Sequence, residues 1–189
     1  MFLIYTFYAG RWSVIQVPTL SFYEYCELLG VERPDIPEDL KVTSLLYKSQ
    51  IERNQIMLQL SKVQNHFMRY LQVGGFPELA LANNDLMAQQ VMREDVVDKV
   101  LKRDLPSLYN IRNATELERI FLYLCNVSSE IVSIEAITKE LNGVSRTTVE
   151  NYIQFLESAN LIYQSWPVDM AGKKVLKARP KIYIADAAI

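Results

Sequence analysis

Residues 140–157, ELNGVSRTTVENYIQFLE, hold a short turn at Gly143 that feeds a helix, and their reading decides the fold. Ahead of the turn, Ile134, Ile137 and Leu141 repeat at spacings of three and four. Val144 sits in the turn itself, and Val149, Tyr152, Ile153 and Leu156 form a stripe at i, i+3, i+4 and i+7. Two such stripes facing each other across a short turn pack as a helix-turn-helix requires. Upstream lies another helical pattern, Leu117, Ile120, Phe121 and Leu124, with Thr115 and Glu118 spaced as a capping box. Downstream come a strand-like LIYQSWPV, a basic turn and KIYIAD. Three helices followed by a β-hairpin predict a winged helix.

The solvent side of the second helix carries Thr147, Asn151, Gln154 and Ser158, with Glu150 on one flank. Asn and Gln can contact adenine in a bidentate manner, and they are also ordinary surface residues. Arg146 is the only base on this helix, whereas Glu150 and Glu157 would repel phosphate. The wing is more basic: GKKVLKARPK (172–181) contains Lys173, Lys174, Lys177, Arg179 and Lys181 and no acid. Such a cluster suits a phosphate backbone. It equally suits a hairpin tip kept soluble by lysine, and both readings stand. The candidate DNA contacts are Arg146, Thr147, Asn151, Lys173, Lys174, Lys177 and Arg179.

The remainder of the chain has an ordinary globular composition. Of 189 residues, 50% are apolar and 22% charged, which fits one medium domain or two small ones and argues against disorder. A net charge of -2 gives no global attraction to nucleic acid or anionic lipid, so such binding needs a local patch. Cys26 and Cys125 have no metal-ligand or redox spacing and read as reduced thiols. The apolar start MFLIYTFYAGRW stops at Arg11, well short of the ~20 residues a membrane span needs, and lacks a basic flank. A cytoplasmic protein without membrane contact is expected.

Along the first half, FLIYTFYA and SVIQV read as strands, and Ser21 with Glu24 opens a helix that Gly30 ends. A helical pattern then runs from about Leu40 to Leu71, with a break near Ser49 or Asn54 allowed. GGFPE (74–78) stops it, and a further helical block runs from about Asp85 to Leu105, where Pro106 interrupts. His66 has no catalytic partner in any motif. Glu94, Asp95 and Asp98 alternate with Arg93 and Lys99 as a solvated face, so no metal site is expected.

Five segments in order carry a family resemblance: AGRWSVIQVPTLSFYEY (9–25), FMRYLQVGGFPE (67–78), LKRDLPSLYNIRN (101–113), VSRTTVENYIQFLESANLIY (144–163) and KARPKIYIADAAI (177–189). Together they resemble the C-terminal portion of a group of prokaryotic AAA-superfamily ATPases, ATP-binding proteins that carry a C-terminal domain of unknown function. The resemblance spans essentially the whole chain. It implies a mainly α fold with small β elements. Residues 1–84 would be the last core strands and helical lid of an ATPase domain, and residues 85–189 a winged helix-turn-helix domain entering a further C-terminal region.

The resemblance also implies that Arg11 corresponds to a phosphate-facing arginine, and that Gly74 and Gly75 form a hinge between lid and winged helix. The nucleotide site itself is missing. No GxxxxGK[ST] occurs, and GKK (172–174) lacks both the upstream glycine and the hydroxyl. The chain alone is therefore expected to hold no cofactor and hydrolyse nothing, while the intact parent would use ATP and Mg. The winged helix would bind duplex DNA. Alternatively it would be an interaction module that passes nucleotide state to the ATPase half or to a neighbouring subunit of a homo-oligomer. A third reading is an inactive gene remnant.

Overall fold

The computed structural model describes residues 2–8, 11–167 and 179–189, with residues 2–8 and 11–16 described through their backbone alone. The described residues are mainly helical, with two small antiparallel sheets. They divide into two compact units, Met1–Gln89 and Gln90–Ala187. The sequence reading puts its boundary at residue 84.

The first unit opens with β1 (Phe2–Tyr8) and β2 (Arg11–Val17), paired antiparallel from Phe2↔Val17 to Tyr8↔Arg11. Helix α1 (Phe22–Leu28) starts where the sequence predicts, because Ser21 and Glu24 cap each other. The Glu24 amide donates to Ser21 Oγ at 3.3 Å, and the Ser21 amide donates to Glu24 Oε2 at 2.8 Å. It ends before Gly30, which takes φ 66° in the left-handed region.

A 3-10 segment (Val42–Tyr47) leads to α2 (Gln50–Ser61), which begins at a second box formed by Ser49 and Glu52. The predicted break near Ser49 is therefore real. Another falls at Lys62–Val63, ahead of α3 (Gln64–Val73), and nothing in the apolar spacing marks it. Gly74 then turns the chain at φ 77°, Phe76 is extended, and Pro77 opens the short α4 (Pro77–Ala80).

Two devices hold this unit together. One is an aromatic cluster of Phe22, Tyr25, Phe67 and Tyr70, with ring centroids 5.1 Å apart for Phe22–Phe67 and 5.3 Å for Tyr25–Tyr70. The other is Arg69. Its guanidinium donates to Asp85 Oδ1 at 2.8 Å, to the Tyr25 hydroxyl at 2.7 Å, and to the carbonyls of Ala80 and Ala82 at 2.8 and 2.7 Å. One side chain thus ties α3 to α1, to α4 and to the start of α5 (Asp85–Val91). A planar fork with fixed donors suits this task, and a lysine could not replace it.

In the second unit the helix widens into π-type turns over Met92–Asp98 and Val100–Asp104, then tightens again as α6 (Leu105–Tyr109). Pro106 does not end helical structure as the sequence suggests. It falls where the π-type turns pass into α6, and the helix continues through it. Helix α7 (Ala114–Asn126) is capped by Asn113, whose side chain accepts from the Glu116 amide at 3.3 Å. The predicted Thr115 box is thus replaced by a cap two residues earlier.

Ser133 and Ser145 cap α8 (Ile134–Glu140) and α9 (Arg146–Ser158), and Gly143 turns the chain between them at φ 99°. Strand β3 (Ile162–Ser165) pairs antiparallel with β4 (Lys181–Ile184). The backbone around Ile131 pairs with the other edge of β4, where the Ser129 amide reaches the Ile182 carbonyl at 2.7 Å. The core of the unit draws on all these elements. Leu105, Leu117, Ile120, Phe121, Leu124, Ile137, Val149, Ile153, Leu156, Ile162 and Ile182 are buried together. Tyr109 stacks on Phe155 with centroids 3.8 Å apart and planes 10° from parallel.

Candidate functional site

The second unit holds a cleft of about 550 Å³ between α8, α9 and the β3–β4 sheet. Its floor is apolar, from Val132, Ile134, Ile153 and Ile182, and Trp166 stands half-exposed on one wall. Its rim is charged. Arg146, the first residue of α9, donates from Nε to Glu150 Oε1 at 2.8 Å and from Nη1 to Glu135 Oε1 at 3.0 Å. Arg179, just before β4, places Nη2 3.5 Å from Glu135 Oε2. The two guanidinium groups therefore meet on one carboxylate, and Glu150 takes the remaining share of Arg146.

Capping geometry fixes Glu135 in place. Ser133 caps α8 through its Oγ, and the same hydroxyl donates to Glu135 Oε2 at 2.7 Å. That bond, with the arginines beside it, holds the Glu135 carboxyl below its ordinary range. The hydrogen bond to Glu150, with the charges of Glu150 and Glu135, pushes the Arg146 guanidinium further up. At neutral pH the rim thus carries two cations and two anions in mutual contact.

A third acid has a different task. Glu157 on α9 accepts the Gln164 amide at 3.0 Å and the Gln164 side-chain nitrogen at 2.7 Å. Its carboxylate seals the outer edge of β3, which would otherwise present a bare N–H. The sequence reading treats Glu157 only as a repellent of phosphate.

Of the predicted DNA contacts, Arg146 and Arg179 share the cleft. Thr147 and Asn151 are exposed on α9 outside it. Lys173, Lys174 and Lys177 lie outside the described residues. Sequence reasoning missed Glu135, Gln164 and Trp166. Glu150 lies one helical turn from Arg146 and is legible as an i,i+4 partner. Glu135 is on another helix, and nothing local announces its role.

Arg11 begins β2, and its side chain is outside the described residues. Gly74 and Gly75 lie within the first unit. A Cβ on Gly75 would stand 2.4 Å from the Leu20 carbonyl oxygen, and the Leu20 amide donates to the Gly75 carbonyl at 2.7 Å. This glycine is anchored against a neighbouring strand of backbone by close approach.

Among the described residues, no group of three or more His, Cys, Asp or Glu side chains is placed to hold a metal ion. The acids of residues 92–104 are engaged by neighbours, Asp95 by Lys99 and Asp98 by Lys102, the latter at 3.1 Å. Among the described residues, no helix is long and apolar enough to cross a membrane.

Comparison with known proteins adds a family. The model of a family described as Domain of unknown function (DUF8612) matches residues 64–189, about two-thirds of the chain. The chain belongs to this family. The DUF8612 region contains the cleft and every residue of its rim. An "Uncharacterized protein" of Haemophilus influenzae is 24% identical over 152 residues, covering 78% of this chain and 38% of the relative. The chain thus corresponds to well under half of that longer protein. No solved structure matches.

Proposed function

We propose that the chain is the lid and winged-helix portion of an AAA-superfamily ATPase, and that its winged helix is a docking and coupling module for protein, not a reader of DNA. The observation that carries the docking reading is the Arg146–Glu135–Arg179 bridge, with Glu150 on the far side of Arg146. A phosphate backbone needs cations whose charge is not already matched. A cleft with an apolar floor, a half-exposed Trp and rim charges paired in advance has the make-up of a protein-binding surface.

The parent-ATPase reading is supported by five sequence segments in family order. The order α7, α8, α9, β3, β4 supports the winged-helix reading. In the first unit, α2 is apolar on two sides. It buries Ile56 and leaves Ile51 and Leu58 exposed, as expected of a helix that meets a further partner. In this reading Arg11 and the nucleotide, with ATP and Mg, belong to a site completed outside the chain.

DNA binding is kept as a second reading because Arg146 and Arg179, from distant parts of the sequence, do converge on one cleft. Two measurements test these readings. The full-length Haemophilus influenzae relative is expected to hydrolyse ATP, and its failure to do so would remove the support for an ATPase parent. Fluorescence anisotropy of this chain with a labelled duplex of about 20 base pairs, at about 150 mM salt, is expected to give no saturable binding. Tight binding lost in Arg146→Ala/Arg179→Ala would instead establish the DNA reading.

A further inference from the structure

We propose that Glu135 is a specificity-determining residue of the cleft: its carboxylate occupies Arg146 and Arg179 and so keeps phosphate backbones out. Glu135 receives one guanidinium from α9 and one from the segment entering β4. A phosphate bound at this rim would seek the same two groups, with the same charge and similar oxygen geometry. The carboxylate has two advantages over it. It is part of the chain, so its effective concentration at the arginines is fixed, and the Ser133 hydroxyl holds it towards them from the first turn of α8. This is specificity through an element that acts against the wrong ligand.

Each of these ion pairs is exposed, and such pairs are individually weak. Glu135 therefore does not forbid phosphate absolutely. It withholds Arg179, and the part of Arg146 that Glu150 leaves, from the set that can release counterions, which lowers affinity by a modest factor and flattens the salt dependence.

The experiment is a salt series of anisotropy titrations with a labelled duplex of about 20 base pairs, starting at about 50 mM salt. It compares the wild-type chain with Glu135→Gln. Glutamine keeps an oxygen for Ser133 but loses the charge, and circular dichroism checks that the fold survives. The variant is expected to bind roughly three- to tenfold more tightly, with a log–log salt slope steeper by about one phosphate, because Glu150 still holds Arg146.

Two further variants separate this effect from a general change of charge. Glu140→Gln makes the same charge change on α8, at an exposed position that touches neither arginine, and is expected to behave as wild type. Glu135→Gln/Arg146→Ala/Arg179→Ala is expected to lose the gain. The proposal is overturned if Glu135→Gln matches wild type or Glu140→Gln, if the gain survives loss of both arginines, or if no variant binds duplex even at the lowest salt. The wild-type result at physiological salt judges the docking reading separately.

Discussion

The two units bury their apolar residues to different degrees. In the second, the stripes of α7, α8 and α9 and the inward faces of β3 and β4 close on one another. In the first, large apolar side chains remain outside: Val42 is 82% exposed, Tyr47 89%, and Ile51, Met57 and Leu58 are exposed with them. The first unit compensates with specific polar and aromatic contacts, the four bonds of Arg69 and the cluster around Tyr25. An apolar core tolerates adjustment because its forces are non-directional. A unit held by directed bonds and one close glycine contact depends on individual positions.

The largest contrast should come from one truncation made in each unit. Leu124 is fully buried in the second unit, and Leu124→Ala is expected to destabilise that unit by about 2–5 kcal/mol. Leu58→Ala, the same chemical change on the exposed side of α2, should stay within about 0.5 kcal/mol. Hydrogen exchange followed by mass spectrometry reads the two units separately during urea unfolding. A Leu58→Ala cost close to that of Leu124→Ala would show that the exposed face is buried in solution, and the contrast would fail.

Much of the second unit is legible because its signal is local. Val149, Tyr152, Ile153 and Leu156 are predicted as one stripe and are all buried. What escaped the sequence depends on contacts between distant residues or on fine competition between neighbours. Asn113 and Thr115 are both plausible caps, and the choice rests on where the last turn of the preceding segment leaves the backbone. Glu135 has an ordinary position in SIEA, and its meaning comes from arginines 11 and 44 positions further on. Gly75 reads as one half of a flexible pair until Leu20 is seen against it.

That glycine supplies the next test. Gly75→Ala places a methyl 2.4 Å from a backbone oxygen that cannot move without breaking the Leu20–Gly75 bond. A cost of about 1–3 kcal/mol is expected, confined to the first unit, with faster exchange at the Leu20 amide. If Gly75→Ala is neutral there, the close approach is relaxed in solution and these glycines are free to act as a joint.

Acid should separate the units by the smallest margin, through their helix caps. In the first unit, α1 and α2 each begin with a serine and a glutamate that cap each other, and in both the glutamate carboxyl is held below its ordinary 4.5. For Glu24 the backbone and hydroxyl of Ser21 are responsible; for Glu52 it is Ser49, helped by Lys48. A carboxyl lowered by folding contributes stability that is complete above its ordinary value and lost as pH falls through the folded one.

In the second unit α7 and α9 begin at Asn113 and Ser145, whose side chains accept an amide with no such reciprocal carboxylate. The start of α7 should not respond to this titration, whereas α8, tied to Glu135, and α9, whose first residue Arg146 pairs with the same carboxylate, should. Amide exchange corrected for its intrinsic pH dependence is expected to rise below about pH 4.5 at the starts of α1 and α2, and to stay level at the start of α7. Glu52→Gln should remove the response from α2 alone, because the amide accepts the same bonds without titrating. If acid instead loosens the start of α7 as much as that of α2, the caps are not what distinguishes the two units, and the contrast rests on their cores alone.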